Sequence, residues 1–167
     1  AELQDSGIFG LEYVARDVRL ANFGNVSNPE LHDQTPFGGI VLTGDATNGN
    51  LPFASVDASW LSHSKGDTGW SGVSNVDAGA SDQLVIQFIA PNNMVNCEGK
   101  EVVAGEYVIQ RYFMRKDTAT GAAATDYVLA CDANKPIATA GSPSALADIT
   151  EFGGSSNTGE VIMPRVD

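Results

Sequence analysis

AELQDSGIFGLEYVARDVRLAN, residues 1–22, is the stretch that decides the fold of this chain. Its apolar side chains recur at steps of three and four residues, which is typical of an amphipathic helix. The side chains predicted to pack this helix on a sheet are Ile8, Leu11, Ala15 and Val18. A second set points elsewhere and is a candidate interface with a partner protein: Phe9, Tyr13, Arg16 and Leu20.

The start of this helix lacks the usual signals of a helix N-terminus. Residues 1–4 contain no Ser, Thr, Asp or Asn cap and no proline. We therefore expect the helix to be the second half of a longer one. Within it, Glu12 precedes Arg16 by four residues, the order that favours a helical ion pair.

The composition indicates one folded domain over residues 1–167, with residues 23–167 forming a β-rich body. A chain of 167 residues can bury a core, and 18 glycines predict many turns. The net charge of −12 and the pI of 4.3 argue against direct binding of nucleic acid, because an acidic surface repels phosphate. No run of apolar residues is long enough to span a bilayer.

Alternating apolar residues and turn signals predict an α+β fold, in which the helix packs on an antiparallel sheet with long loops. The clearest strands are 82–90, 106–115 and 126–130, the last two forming a hairpin. Weaker signals are a short strand at 37–43, a helical turn at 144–152 and a strand beginning at 161–163. The second strand should place Val108, Gln110, Tyr112 and Met114 on one face and Ile109, Arg111, Phe113 and Arg115 on the other.

The chain has two cysteines, Cys97 in a loop and Cys131 at the end of an apolar run. In a chain rich in Gly, Asn and Thr, this pair predicts one disulfide in an exported protein. The alternative is two unrelated buried thiols.

Residues suited to catalysis or metal binding are sparse. His32 and His63 lie far apart without companion ligands, which favours ordinary loop histidines. The segment 45–50 resembles a calcium-binding loop, but Gly49 stands where an oxygen ligand is needed. A polar turn therefore explains this segment better. Without a nucleophile motif or phosphate loop, we expect no enzyme, no cofactor and no metal site.

Trp60 and Trp70 flank a loop rich in Gly, Ser and Asp. Such a pair could stack on a sugar or lie at a protein interface. Packing within the domain is the simpler alternative.

At residue level the chain resembles the PilW-type minor pilins of type IV pili. Residues 5–21, DSGIFGLEYVARDVRLA, are similar to the family pattern ENGRFALEYLARDIRMAG. Residues 81–88, SDQLVIQF, resemble the SD-x-L-x-V strand of that family. The segment 108–131 is similar to its V-x-x-RYF … L-x-C segment. The three blocks follow the family order and cover about a third of the chain.

The resemblance implies a structural subunit rather than a catalyst. An apolar half-helix upstream would hold the subunit in the inner membrane, facing the periplasm, before it enters the pilus tip. The implied partners are other minor pilins, the major pilin and a tip adhesin, and the implied roles are twitching motility, adhesion or DNA uptake. Family members continue past residues 161–166 with further strands, so we expect the C-terminal end to be incomplete. The alternative hypothesis is a secreted glycan-binding or adhesin module that uses Trp60 and Trp70.

Overall fold

A computed structural model describes residues 2–64 and 81–166 of the chain. The helix α1 spans Glu2–Val18. The strands are β1 Gln83–Ile89, β2 Met94–Val95, β3 Glu101–Val102, β4 Tyr107–Lys116, β5 Tyr127–Ala133 and β6 Glu160–Val166. Two single turns of 3-10 helix lie at Ala58–Trp60 and Leu146–Asp148.

The main sheet has four antiparallel strands in the order β1-β4-β5-β6. The predicted α+β architecture, its strands and the β4–β5 hairpin are therefore confirmed. The segment 37–43 runs beside β1 and pairs with it through one bridge, between Ile40 and Ile86, while Gln87 Nε2 of β1 donates to the carbonyl of Gly38. The helical turn predicted within 144–152 is a single 3-10 turn. A separate two-stranded ribbon, β2–β3, follows β1 in the chain, and its Val102 is buried in the core.

The two faces of β4 divide the core into two layers, as its alternation predicts. The front layer contains Ile86, Phe88, Ala90, Cys97, Val102, Val108, Tyr112, Cys131 and Ala133. The back layer contains Val41, Leu51, Val85, Tyr107, Ile109, Ile149 and Phe152, and irregular loops cover it. The disulfide between Cys97 and Cys131 lies in the front layer, with its Cα atoms 6.0 Å apart, which confirms the predicted pairing.

The helix α1 crosses the front face of the sheet from β6 to β1. Gly10 lies against Met163 of β6. Asp17, one to two turns further on, bonds to side chains of β4. The backbone N–H of Asn22, just past the helix, donates to the carbonyl of Gln87 in β1 at 3.1 Å. Helix and sheet are thus joined at three places along the crossing.

The predicted packing stripe of α1 is wrong. Ile8 and Leu11 are 48% and 61% exposed, Ala15 is also exposed and Val18 is only half-buried. The residues that face the sheet form the neighbouring stripe, one position earlier in the sequence for most of them: Gly7, Gly10, Val14, Asp17 and Ala21. Two glycines and an aspartate contribute no apolar signal, so the periodicity identifies the neighbouring stripe instead.

Gly7 and Gly10 let the helix backbone approach β6, and a matched pair of substitutions tests this. A Cβ at Gly10 would lie 2.9 Å from the Cβ of Met163, whereas a Cβ at Gly7 meets only the Met163 sulfur at 3.9 Å. Alanine at Gly7 should therefore stabilise the domain by about 0.5–1 kcal/mol through helix propensity. Alanine at Gly10 should destabilise it by about 1–2 kcal/mol, because overpacking outweighs propensity. Urea unfolding of both variants is the measurement, and equal stabilisation would contradict the close approach.

Candidate interaction surfaces

A buried hydrogen-bond network fixes α1 on the sheet. One carboxylate oxygen of Asp17, a residue only 1% exposed, accepts from the Tyr112 hydroxyl at 2.9 Å and from Gln110 Nε2 at 3.2 Å. The carbonyl oxygen of the Gln110 side chain accepts the backbone N–H of Cys97 at 2.9 Å. Burial and the Asp17 charge raise the pKa of Tyr112, so its hydroxyl stays a donor. Helix, β4 and the disulfide loop are therefore connected through one polar cluster.

The fixed helix exposes apolar side chains on both of its flanks. On one flank lie Ile8, Leu11 and Ala15, which we call the Leu11 flank. On the other lie the four residues predicted as an interface, which we call the Phe9 flank: Phe9, Tyr13, Arg16 and Leu20. Phe9 is 71% exposed. Isolated exposed apolar residues are common, but three large ones, Ile8, Phe9 and Leu11, on neighbouring turns of one anchored helix make this helix a candidate interaction surface.

The Phe9 flank is only partly free for contacts. Tyr13 and Leu20 pack against the front layer, which corrects their prediction as residues that point away from the domain. Arg16 lies over the Tyr13 ring at 4.5 Å and pairs with Asp17 at 3.3 Å. The guanidinium thus bonds to Asp17 and not to Glu12, the partner that the sequence predicted. The Asp17 bond links Arg16 to the buried network.

Each flank borders a groove. The first lies beside the short β2–β3 ribbon, and we call it the hairpin groove after that ribbon. It has a volume of about 410 Å³ and is lined by Arg16, Leu20, Pro91, Asn92, Met94 and Val95. The second has a volume of about 500 Å³ and lies beside the Leu11 flank, where Leu11, Val14, Leu42, Leu84 and Leu129 form its apolar lining. His63 lines the second groove and pairs with Gln83 through its backbone.

On the opposite side of the sheet, a buried ion pair anchors loops rather than forming a site. Arg111 is fully buried, and its Nε donates to Asp132 at 2.7 Å. Its Nη2 donates to the carbonyls of Gly154 and Asn157 at 3.0 and 2.6 Å. Burial raises the pKa of Asp132 to about 7, although Arg111 opposes that shift. Sequence alternation placed Arg111 on this face, but no local signal indicates its partner 21 residues away.

Of the two tryptophans, the structure describes Trp60 alone. Trp60 is half-buried in the back layer and packs edge-on against Phe152, with ring centroids 5.3 Å apart. Trp70 lies outside the described residues. The interface role predicted for these two residues stays a prediction, as does the glycan-binding alternative.

The candidate metal ligands are explained by turn chemistry where the structure describes them. Asp45 accepts the backbone N–H groups of Asn48 and Thr47, which lower the pKa of its carboxyl. His32 lies on the surface, 3.0 Å from Asp33. Among residues 2–64 and 81–166, no three His, Cys, Asp or Glu side chains are grouped as a metal site would require.

Comparison with known proteins finds no matching family model, curated protein or solved structure. Within the described residues no helix is long and apolar enough to cross a membrane. The functional interpretation therefore depends on the surfaces of this chain itself.

Proposed function

We propose that this chain is the globular domain of a PilW-like minor pilin, a structural subunit that helps to initiate type IV pilus assembly and sits in the tip complex. In this role it acts by docking and carries out no catalysis. Its partners are other minor pilins, the major pilin and a tip adhesin. The pilus that it primes then serves twitching motility, adhesion or DNA uptake.

One observation carries the proposal: an N-terminal helix, anchored on one side by buried hydrogen bonds, leaves Ile8, Phe9 and Leu11 exposed on its two flanks. A domain that functions alone gains nothing from exposing these side chains, since burying each would contribute about 1.5–3 kcal/mol. A helix that must pack between neighbouring helices needs apolar flanks on both sides.

Two further features agree with the proposed location and with the proposed family. The buried disulfide is typical of proteins that fold in an oxidising compartment such as the periplasm. The three sequence blocks that resemble the family map onto α1, β1 and the β4–β5 hairpin. In the proposed pathway the subunit is held at the inner membrane, facing the periplasm, and then moves to the extracellular pilus tip.

The test is a gene deletion in the organism that encodes the chain, complemented with full-length variants. Deletion should remove surface pili and twitching. The variant Leu11→Asp should restore about tenfold fewer pili than the wild type, because a carboxylate cannot enter an apolar helix contact without a large desolvation cost. The matched control is Glu12→Gln, which changes a neighbouring exposed residue outside both flanks and should restore pili fully.

A strain that keeps normal pili after the deletion would overturn the proposal. So would a full-length gene that encodes a conventional cleaved signal peptide and no apolar helix upstream of Ala1. Glycan binding that is abolished by Trp60→Ala would then favour the secreted module.

A further inference from the structure

The hairpin groove lies between the end of α1 and the ribbon that follows β1. Leu20 forms one wall, and Met94 and Val95 of β2 form the other. Val95 is 45% exposed, so the apolar wall is open to solvent. The disulfide and the Gln110 bond to Cys97 hold the ribbon in place on this side. The groove is therefore formed by anchored elements.

Among the described residues that line this groove, Arg16 has the only ionisable side chain. Its Nε and Nη2 both bond to Asp17, and the guanidinium also lies over the Tyr13 ring at 4.5 Å. The side chain remains 53% exposed. The groove thus combines an apolar wall with a guanidinium whose exposed part can bind a carboxylate.

We infer that the hairpin groove is the docking site for a segment of a neighbouring pilin, which inserts an apolar side chain beside Met94 and Val95 and places a carboxylate on Arg16. This inference rests on the proposed function and names the chemistry of one partner contact. The groove is continuous with the Phe9 flank, so a helix or loop that contacts Phe9 also reaches Arg16.

Charge selects the kind of partner. With a net charge of −12, most of the surface repels an acidic protein. A single carboxylate opposite Arg16 is favourable, whereas acidic residues around it are not. The partner segment is therefore apolar with one acid, on a domain that is less acidic than this chain. A second copy of the chain does not fit this description, because it carries the same net charge.

The test uses the purified domain together with the purified globular domains of the other pilins of the same organism, each measured singly. Arg16→Glu should weaken the binding of one of these domains at least tenfold. Val95→Asp should weaken the binding of the same domain to a similar extent. Because Arg16 also touches the buried network, Val95→Asp provides an independent arm on a different element. Arg19→Glu makes the same charge change at an exposed position outside the groove and should alter the affinity less than twofold.

A photo-crosslinking residue in place of Val95 should form a covalent adduct with the same partner domain. The matched position is Val103, which is 56% exposed at the end of the same ribbon but does not line the groove. Equal adduct formation at both positions, or unchanged binding by Arg16→Glu and Val95→Asp, would overturn the docking site. Binding of a second copy in place of a pilin domain would also overturn it.

The two proposals fail separately. If the deletion strain loses its pili but both groove variants bind all pilin domains normally, the inference is wrong and the proposed function stands. If the deletion strain keeps its pili and no pilin domain binds the wild-type chain, the proposed function is wrong and this inference falls with it.

Discussion

Arg111→Ala is expected to lower the free energy of unfolding by about 3–5 kcal/mol, the typical cost of breaking a buried ion pair. The guanidinium is fully buried and stacks over the Phe113 ring at 4.5 Å. It also donates to Asp132 and to two loop carbonyls. The substitution leaves the Asp132 carboxylate buried without its counter-ion and releases the loop at 154–157. Urea unfolding followed by circular dichroism measures the loss.

The size of this loss should depend on pH. Burial raises the pKa of Asp132 to about 7 in the wild type, and Arg111 is the group that opposes the rise. Without Arg111, Asp132 of the folded variant keeps its proton to a higher pH than Asp132 of the folded wild type does. The difference in unfolding free energy should therefore grow as the pH rises above about 7, so it is larger at about pH 9 than at about pH 6.

Two variants separate charge from loop anchoring. Arg115, four residues along the same face of β4, donates to Thr158 and Gly159 from a half-buried position. Arg115→Met should cost only about 0–1 kcal/mol, because its bonds remain partly open to solvent. The double variant Arg111→Met with Asp132→Leu should recover part of the loss, because apolar residues can replace a buried pair. A loss below about 1 kcal/mol for Arg111→Ala would show that the pair does not anchor the back layer.

Removal of the disulfide is the second large effect that we expect. Replacing Cys97 and Cys131 together by alanine should lower the free energy of unfolding by about 3–4 kcal/mol, because the unfolded chain regains the freedom of a long loop. The bond closes a sequence separation of 34 residues. Alanine is the appropriate substitution because both positions are buried in the front layer. Chemical denaturation of the oxidised wild type and of the double variant measures the difference.

A reducing agent provides the control for this prediction. It should destabilise the wild type by a similar amount and leave the double alanine variant unchanged. The reduced wild type should also show faster amide exchange in β2 and β3, since the bond joins their connecting segment to β5. If the reductant has no effect on the wild type, the disulfide adds nothing to its stability.

The elements of the fold were largely predictable because they depend on local periodicity. Alternation identified β1, β4 and β5, and it assigned the two faces of β4 correctly. The presence of two cysteines in an export-type composition indicated the disulfide. The start of β6 was found, but its full length was not, because Pro164 and Arg165 interrupt the apolar run.

The orientation of α1 was not predictable from the same signals. Its contact face is made by Gly7, Gly10 and Asp17, which pack by close approach and by hydrogen bonding. Hydrophobic periodicity measures the burial of apolar area and does not register either of these contacts. For that reason the periodicity assigned Ile8 and Leu11 to the core, although both lie exposed on the Leu11 flank.

The sequence by itself predicted that a helix precedes an antiparallel sheet, which residues lie on each face of β4, and that Cys97 pairs with Cys131. These features follow from periods of two and of three to four residues, together with the count of cysteines. Only the tertiary structure decided which side of α1 meets the sheet, that Arg111 pairs with Asp132, and that Arg16 and Val95 line one groove. Those contacts join residues far apart in the chain, and their free energy depends on distances that no local pattern specifies.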